Sequence, residues 1–369
     1  MAIHSLHRFT GDRMIFNHDI LSCTREAAAG NQLYSGRALG MTSPDDLIQI
    51  HPLLEREWDA IDGHYDRVGL PHTSQVVWDV AIDRLADYPD LRESVFFFGH
   101  KENRVRSHNA WQRVVTYINN RNHFVALAKH LRMDVPHTLC FHGKQWIAGI
   151  GTLPYPCYLK SSVPLAGKRI RRCETPSDLI QALAFFDEIM PLQIQEEIPA
   201  DIYLNLQYEA SDERLERRQV TEYITLEHIH RGIRFPARCE PWGSVEPMAE
   251  WLWREGLRGV FAFEVGVVEE VDGLRFILLQ CTPRYDNASY PSEIARRLQI
   301  PQWIAKEYSG NHDRLADIDL SGIEYDPGRR SGIILVNWGT IVIGRLGVLI
   351  AGSRIEQKRL EAELLVRLR

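Results

Sequence analysis

The sequence lacks most of the short motifs by which soluble enzymes are usually recognised. Its six cysteines form no C-x-x-C pair, its fifteen histidines form no H-E-x-x-H, and no G-x-G-x-x-G follows a predicted strand. These absences argue against a structural zinc site, a zincin-type protease and a dinucleotide-binding Rossmann site. The scattered cysteines favour free thiols in a reducing cytosol over a disulfide framework, so we expect a cytoplasmic protein.

The charge balance and the apolar runs exclude further classes. A net charge of -6 over 369 residues gives no electrostatic argument for nucleic acid or an anionic membrane as partner. The first residues, MAIHSLHRFTGDR, contain no continuous apolar segment, so we expect no secretory signal. The stretch IILVNWGTIVIGRLGVLIAG is about as long as a membrane span. Asn337, Arg345 and repeated glycines interrupt it, however, and we predict successive strands there.

What the sequence does contain is a β-hairpin that carries polar residues. Two apolar runs flank Asp272-Gly273, a dipeptide typical of hairpin turns. Glu264 interrupts the first run, and Gln280, Thr282 and Arg284 alternate at the end of the second. Since strand residues two apart share a face, these last three side chains point the same way.

The loop length decides whether the acidic residue of the first strand joins that face. A three-residue loop that pairs Glu270 with Leu274 would place Glu264 opposite Gln280. A two-residue loop would oppose Glu264 to Cys281 and turn it to the other face. We predict the first register, because it collects the polar groups on one wall.

The chain before the hairpin divides into two regions. Residues 1–120 have mixed α/β patterning, with a strand near Met14–Ile20, a helix-like stretch over Ser43–Ile61 interrupted at Pro52, and a short buried strand at Val95–Phe98. After them we predict a helix over Asn122–Arg132 and a strand that contains Lys160.

A second set of signals follows the lysine strand. A Gly167-Lys168 loop comes first, and then a helix capped by Thr175 with Pro176 at its first position. The strand that follows ends in the polar run Gln195–Ile198.

The order of these elements, from the helix before the lysine strand to the polar hairpin, resembles that of the ATP-grasp superfamily over about residues 120–310. The resemblance implies a fold of mixed α/β and α+β class with antiparallel-sheet nucleotide-binding lobes. It implies an amino-terminal Rossmann-like (pre-ATP-grasp) domain at 1–120 and an ATP-grasp domain at 121–310, with a small lobe at about 121–196 and a large lobe at about 197–310. A β-rich segment with a final helix, 311–369, would pack on the ATP-grasp domain.

The resemblance also implies a reaction and its ligands. ATP and Mg2+ would be bound, and a carboxylate would be joined to an amine through an acyl phosphate, with release of ADP and phosphate. The expected partners are small-molecule carboxylate and amine substrates, amino acids among the candidates, with no nucleic acid and no membrane. A homodimer is a family-level expectation.

Site residues follow from the same resemblance, position by position. The residues expected to contact ATP are Lys160, Lys168, Gln195, Glu196, Glu197, Ile198 and Asp201. The residues expected to face the metal are Glu264, Gln280 and Thr282. Arg284 would act in catalysis together with Lys160, by stabilising the transferring phosphate.

Two departures from the family pattern affect this site. Gln280 stands where a second acid is usual and Thr282 where an asparagine is usual, although Asp286 could supply a second negative charge. The lysine expected at the start of the helix that precedes the lysine strand is absent, and Arg121 and His123 are both candidates to replace it. An alternative function is therefore a nucleotide-binding or regulatory protein on a degenerate ATP-grasp scaffold.

Overall fold

The computed structural model describes residues 13–21, 30–96, 112–147, 153–163, 170–226 and 229–369. The described residues form sixteen strands in three sheets, with seven α-helices around them. The first eight strands are β1 Met14–Asn17, β2 Leu47–Gln49, β3 Val76–Val77, β4 Arg92–Val95, β5 Thr138–Phe141, β6 Cys157–Ser161, β7 Ile170–Cys173 and β8 Leu192–Glu196. The others are β9 Ile202–Ala210, β10 Leu215–Leu226, β11 Ile229–Phe235, β12 Gly259–Glu270, β13 Gly273–Thr282, β14 Trp303–Ser309, β15 Gly332–Asn337 and β16 Arg345–Ala351. The helices are α1 Trp58–Arg67, α2 Gln112–Ile118, α3 Arg121–His130, α4 Pro176–Leu183, α5 Glu246–Arg254, α6 Ser289–Arg297 and α7 Arg354–Arg367.

The amino-terminal sheet is parallel, with the strand order β3-β2-β1-β4. Strand β1 is buried along its whole length, as expected for a parallel strand covered on both faces. The chain leaves β1 towards β2 on one side and returns as β4 on the other. The carboxyl end of β1 is therefore the point at which the strand order reverses.

Two elements of this region differ from their predictions. The prediction of a helix over Ser43–Ile61 was wrong at its start, because Leu47–Gln49 pair with the parallel sheet as β2. The chain then makes a 3-10 turn from Pro52, which lacks an N–H to continue a ladder, before α1 begins at Trp58. The strand predicted at Val95–Phe98 overlaps β4, Arg92–Val95, at Val95, and its last residues, Phe97 and Phe98, lie outside the described residues.

The middle sheet is antiparallel, in the order β5-β8-β6-β7, and it carries the lysine strand. Helix α4 packs against it through Leu179 and Ala182. The predicted start of α4 is confirmed, since the Thr175 side chain accepts from the Asp178 N–H and the Asp178 carboxylate accepts from the Thr175 N–H. Helix α3 is confirmed as well, with Asn120 as its cap.

The large sheet has eight antiparallel strands, in the order β13-β12-β9-β10-β11-β14-β16-β15. The hairpin of β12 and β13 turns at Val271-Asp272, with Glu270 opposite Gly273. The three-residue loop that we predicted is therefore wrong: the loop has two residues and begins one residue before the Asp272-Gly273 dipeptide. Gly273 adopts a φ of 134°, which residues with a Cβ rarely reach, so glycine suits the paired position that closes the turn.

A β-bulge restores the predicted contact across the hairpin. Val265 lies opposite Leu278, but Glu264 lies opposite Gln280, so that Leu279 is the extra residue. The predicted opposition of Glu264 and Gln280 is confirmed, although the residue that produces it lies within a strand and not in the loop.

The carboxy-terminal apolar stretch forms strands β15 and β16, as predicted. These strands extend the large sheet beyond β14. Their side chains share one core with the amino-terminal region, where Phe16 and Leu39 are buried together with Ile334 and Leu349. Within the described ranges, no helix has both the length and the apolar character needed to cross a bilayer.

Candidate active site

One face of the large sheet is polar where four neighbouring strands meet. Glu264 lies between Asn205 of β9 and Gln280 of β13, and Tyr223 of β10 reaches it from the next strand. Thr282 lies two residues beyond Gln280 on the same face. Asn205, Tyr223, Glu264, Gln280 and Thr282 form what we call the polar wall.

The carboxylate at the centre of the polar wall is held by two hydrogen-bonding neighbours. Tyr223 Oη donates to Glu264 Oε1 at 3.2 Å, and the side chain of Gln280 is also hydrogen-bonded to Glu264. Burial raises the pKa of Glu264, and the nearby Asp286 carboxylate adds to the increase, while the two hydrogen bonds oppose it. A cation placed here would oppose the effects of burial and of Asp286 on this pKa, since positive charge favours the ionised carboxylate.

Asn205 is a site residue that the sequence reasoning missed. Its Nδ2 donates to Asp286 Oδ2 at 2.6 Å and to Tyr223 Oη at 3.3 Å. Its Oδ1 is buried and has no hydrogen-bond partner among the described residues. Because the Asp286 carboxylate can only accept hydrogen bonds, it orients the Asn205 amide with the nitrogen towards Asp286. The Asn205 oxygen is then free beside Glu264. The available signal was the alternation of Asn205, Gln207 and Glu209 with apolar and aromatic residues along the strand.

Asp286 itself does not serve as a second free carboxylate. Its Oδ1 accepts from the backbone N–H groups of Ala288 and Ser289, at 2.9 and 3.0 Å, and from Gln207 Nε2 at 3.2 Å. These bonds cap the start of α6 and occupy the carboxylate. Its role is to orient Asn205, as outer-shell carboxylates do for ligating groups.

The oxygen atoms of the polar wall suit a hard divalent cation. Glu264 supplies one carboxylate, and Asn205 supplies a buried amide oxygen without a donor. The Gln280 side chain adds a further amide oxygen. Magnesium is commonly held by one or two carboxylates together with phosphates and water, so this set fits the group. The described residues contain no cluster of three His, Cys, Asp or Glu that could form a metal site of another type.

Three cations face the polar wall from other elements. Lys160 lies on β6 of the middle sheet, Arg121 begins α3, and Arg284 follows β13. Burial, together with the charge of Arg121, lowers the pKa of Lys160 to about 8, and Glu264 acts in the opposite direction. Burial and the charge of Arg284 lower the pKa of Arg121 to about 10, again against the effect of Glu264. Lys160 and Arg121 are therefore coupled to the Glu264 carboxylate, and Arg284 is coupled to Arg121.

Specific hydrogen bonds hold these cations in place. Lys160 Nζ donates to Gln195 Oε1 at 2.5 Å. Arg121 Nη1 donates to the Ser161 carbonyl at 2.8 Å, which ties α3 to the end of the lysine strand. Arg284 Nη1 donates to Asn119 Oδ1 at 3.0 Å.

A small cavity of about 60 Å³ lies between these groups. Arg121, Arg284, Gln280 and Thr282 line it, so Thr282 contributes to the same space as the two arginines. Of the two candidates for the missing lysine, Arg121 therefore reaches the site. His123 is exposed and stacks on Tyr117, with 4.7 Å between the ring centroids.

The segment expected to bind adenine joins the middle and large sheets. The Glu196 and Glu197 side chains are engaged locally: Glu196 Oε1 accepts from the His137 N–H at 2.6 Å, and Glu197 Oε2 accepts from Arg172 Nη2 at 2.7 Å. The apolar side chain of Ile198 packs in a small cluster with Ala200, Val268 and Ile277.

The other residues predicted to contact the nucleotide are Asp201, Gln195 and Lys168, and they differ in their surroundings. Asp201 is exposed just before β9, and Gln195 is buried against Lys160 and Thr138. Lys168 lies outside the described residues, as does Gly167. Only the two ends of the predicted phosphate loop, at Val163 and Ile170, are described.

Comparison with known proteins establishes the fold. No protein-family model matches the chain, and no curated protein matches it significantly. Among solved structures, the ADP complex of N5-carboxyaminoimidazole synthetase from Staphylococcus aureus has a TM-score of 0.60 at 11% identity, with 97% of each chain covered. L-amino acid ligase from Bacillus licheniformis has a TM-score of 0.57 at 12% identity, over 96% of this chain and 97% of that one. The phosphoribosylaminoimidazole carboxylase ATPase subunit from Aquifex aeolicus has a TM-score of 0.54 at 13% identity, over 96% of this chain and 99% of that one. The expected ATP-grasp fold is confirmed, and it extends over nearly the whole chain.

Proposed function

We propose that this protein is an ATP-dependent carboxylate–amine ligase that forms an amide or peptide bond through an acyl phosphate. The observation that carries the proposal is the convergence of Lys160, Arg121 and Arg284 on the polar wall. Two of these cations have lowered pKa values, so their charged forms are unfavourable in the free protein. A bound polyanion would stabilise the charged forms, which favours its binding. The fold shared with an ADP complex and with an amino acid ligase agrees with this reading.

The reaction divides into two transfers. The substrate carboxylate attacks the γ-phosphorus of ATP and forms an acyl phosphate, while ADP leaves. The amine then attacks the acyl carbon, phosphate leaves with the C–O bond electrons, and the amine loses a proton. No side chain of the protein need become covalently attached, so its contribution is positioning and charge neutralisation.

The residues have separable roles in this scheme. Lys160 and Arg121 bind the ATP phosphates from the side of the middle sheet. Arg284 stabilises the transferring phosphoryl group with its planar donor fork. The Ile198 cluster offers an apolar surface for adenine, and Asp201 stands where ribose hydroxyls would be bound.

Magnesium would be held by Glu264, Asn205 and Gln280. When bound there, it supplies charge neutralisation for the phosphate oxygens. Thr282 would contribute its hydroxyl from the same face.

The test is ADP release by the purified protein with ATP, magnesium and a panel of carboxylates and amines, including amino acids. We expect turnover with at least one pair of substrates. Glu264→Ala and Arg284→Ala should each abolish it while leaving the circular dichroism spectrum intact. Arg354→Leu, an exposed arginine at the start of α7, serves as the charge-matched control. Full turnover in both site variants would refute the site assignment.

A second candidate function is nucleotide binding without catalysis. It is favoured by one observation, which is that Gln280 replaces a second carboxylate and hydrogen-bonds the first. Calorimetric titration with ATP and magnesium separates the two candidates, since ATP binding without ADP release across the panel would support the second.

A further inference from the structure

A second cavity is separate from the ATP-facing cavity, and it lies where three parts of the chain meet. Its volume is about 490 Å³. The 3-10 segment Asn31–Met41 contributes Tyr34 and Arg37 to its wall, and β14, β15 and β16 contribute Lys306, Asn337 and Arg345. None of these residues has a role in the scheme for ATP.

Arg37 is the unusual member of this wall. Its side chain is buried, with 5% of its surface exposed, and it packs against the rings of Tyr34, Phe96 and Tyr290. Its Nε and Nη2 atoms have no hydrogen-bond partner among the described residues. These two atoms form one edge of the guanidinium, the edge that binds a carboxylate or a phosphate with two parallel hydrogen bonds.

Two other cations of the wall, Lys306 and Arg345, are already compensated. Lys306 Nζ lies 2.7 Å from Glu361 Oε1, and Arg345 Nη1 lies 3.7 Å from Glu307 Oε1. No carboxylate of the described residues forms an ion pair with Arg37. A buried cation without a partner is unfavourable, so this position is suited to an incoming anion.

An unpaired acceptor lies on the same wall. The side chain of Asn337 hydrogen-bonds Tyr34, and its Oδ1 is buried without a partner among the described residues. Tyr34 therefore lies between the free donors of Arg37 and the free acceptor of Asn337. A ligand that satisfies both carries an oxyanion with a hydrogen-bond donor next to it.

The fold offers an independent reason to expect a ligand here. The cavity wall is connected through Tyr290 to the carboxyl end of β1, where the strand order of the parallel sheet reverses. His18, just after β1, hydrogen-bonds Tyr290 Oη at 2.9 Å and Ser94 Oγ at 3.0 Å. Ligands of open α/β sheets bind at such reversal points.

The cavity also extends towards the polar wall. Asn287, directly after Asp286, lines it, as does His230, whose ring lies 5.0 Å from that of Tyr223. Asn337 is on β15, four strands from the β10 that carries Tyr223, which corresponds to about 19 Å at the usual strand spacing. A group bound at Asn337 is thus remote from the polar wall.

We propose that this cavity binds a substrate other than ATP, and that Arg37 holds an oxyanion of that molecule while Asn337 accepts from a neighbouring donor. The bound oxyanion is an anchor and not the reacting carboxylate. The substrate class is a small molecule with a carboxylate or phosphate beside an N–H or O–H group. That this ligand is a substrate rests on the proposed function, whereas its binding to the cavity does not.

Binding is tested first, without turnover. The probes are L-alanine, L-alaninamide and inorganic phosphate at matched ionic strength, with affinity measured from the shift of the thermal midpoint. We expect L-alanine or phosphate to bind and L-alaninamide, which lacks the oxyanion, not to bind. The probe that binds identifies the anion as carboxylate or phosphate.

The variants assign that binding to one residue. Arg37→Leu should weaken it by about tenfold to a hundredfold, because two charge-assisted hydrogen bonds are lost. Arg37→Lys, which keeps the charge without the fork, should be intermediate, and Arg354→Leu should match the wild type. Equal binding by Arg37→Leu and the wild type, binding of L-alaninamide as strong as that of L-alanine, or no binding of either anion would overturn the proposal.

Turnover then separates the two proposals. With any substrate that supports ADP release, Arg37→Leu should raise its KM by a similar factor and leave the KM for ATP unchanged. An unchanged KM for that substrate would overturn the anchor. Absence of ADP release in the wild type would count against the ligase alone, since the binding measurements decide the anchor independently.

Discussion

Lys160, which we propose to bind the ATP phosphates, has a lowered pKa. Its ammonium group is enclosed near Arg121, and together these effects bring its pKa to about 8. The lysine therefore loses its charge in the free protein within an accessible pH range, and an arginine in the same place would not.

We predict that the affinity for ATP falls as the pH rises above about 8. Above that value the free protein must take up a proton to bind the phosphates, so affinity should fall by up to about tenfold per pH unit. Below it, affinity should be flat with respect to this group. Calorimetry at a series of pH values measures the effect, and Lys160→Arg should remove it. A wild-type affinity that is constant across this range would contradict the assignment.

Asn205 lends itself to a second prediction at the residue scale. Asn205→Leu should raise the magnesium concentration needed for ATP binding by about tenfold or more, since an oxygen beside Glu264 is lost. Gln219→Leu is the matched control, because Gln219 lies on the neighbouring strand and bonds Ser292 instead. Titration of magnesium at fixed ATP measures both. Identical curves for Asn205→Leu and the control would exclude Asn205 as a ligand.

At the scale of elements, the hairpin and the linker between the sheets fit together closely. A Cβ on Gly266 of β12 would lie 2.3 Å from Ile198 Cδ1. The glycine thus makes room for the apolar side chain that we assign to adenine. In our proposal, strand β12 therefore makes room for the adenine contact at Gly266 and carries the metal-binding Glu264 two residues earlier.

Gly266→Ala should destabilise the protein by about 1–3 kcal/mol through overpacking, and it should weaken ATP binding. Adding Ile198→Ala should recover much of the stability, because the clash is with that side chain. Urea unfolding of the single and double variants measures the coupling. Gly243→Ala, where an added Cβ meets no atom within 4 Å, is the control. If the two substitutions changed the free energy of unfolding additively, the result would contradict this packing.

At the scale of the whole molecule, the first and last segments are joined by a buried polar contact. Glu324 Oε1 accepts from His64 Nδ1 at 2.7 Å, and Glu324 Oε2 accepts from Arg67 Nε at 2.9 Å. Burial raises the pKa of Glu324, but the bonds from His64 and Arg67 outweigh it and bring the pKa down to about 2. His64 Nε2 in turn accepts from the Leu335 N–H of β15.

This contact should make stability depend on pH in one direction. A carboxyl whose folded pKa lies below its unfolded value stabilises above the unfolded pKa, and the contribution is lost as the pH falls towards about 2. The contribution amounts to about 3 kcal/mol. Glu324→Gln should therefore lower the free energy of unfolding at pH 7 and lose this difference from the wild type in acid. Glu363→Gln, in an exposed pair with Arg359, should change it by less than about 0.5 kcal/mol. An equal effect of the two variants at pH 7 would argue against the contact.

The local features on which the site depends could be predicted from the sequence. The spacing of apolar residues predicted α3, and the cap at Thr175 predicted the start of α4. Period-two alternation placed Gln280 and Thr282 on one face. These are properties of neighbouring residues, so they can be read without knowing which distant segments meet.

The remaining features depend on contacts between segments that are distant in the sequence. The bulge at Leu279 arises from how two strands pair within the large sheet, and a turn dipeptide does not reveal it. The choice of Arg121 over His123 depends on which side of α3 faces the lysine strand. The unpaired groups of Asn205 and Arg37 are defined by what surrounds them after burial. Burial and long-range contact turn ordinary polar residues into binding groups, and neither is encoded in local spacing.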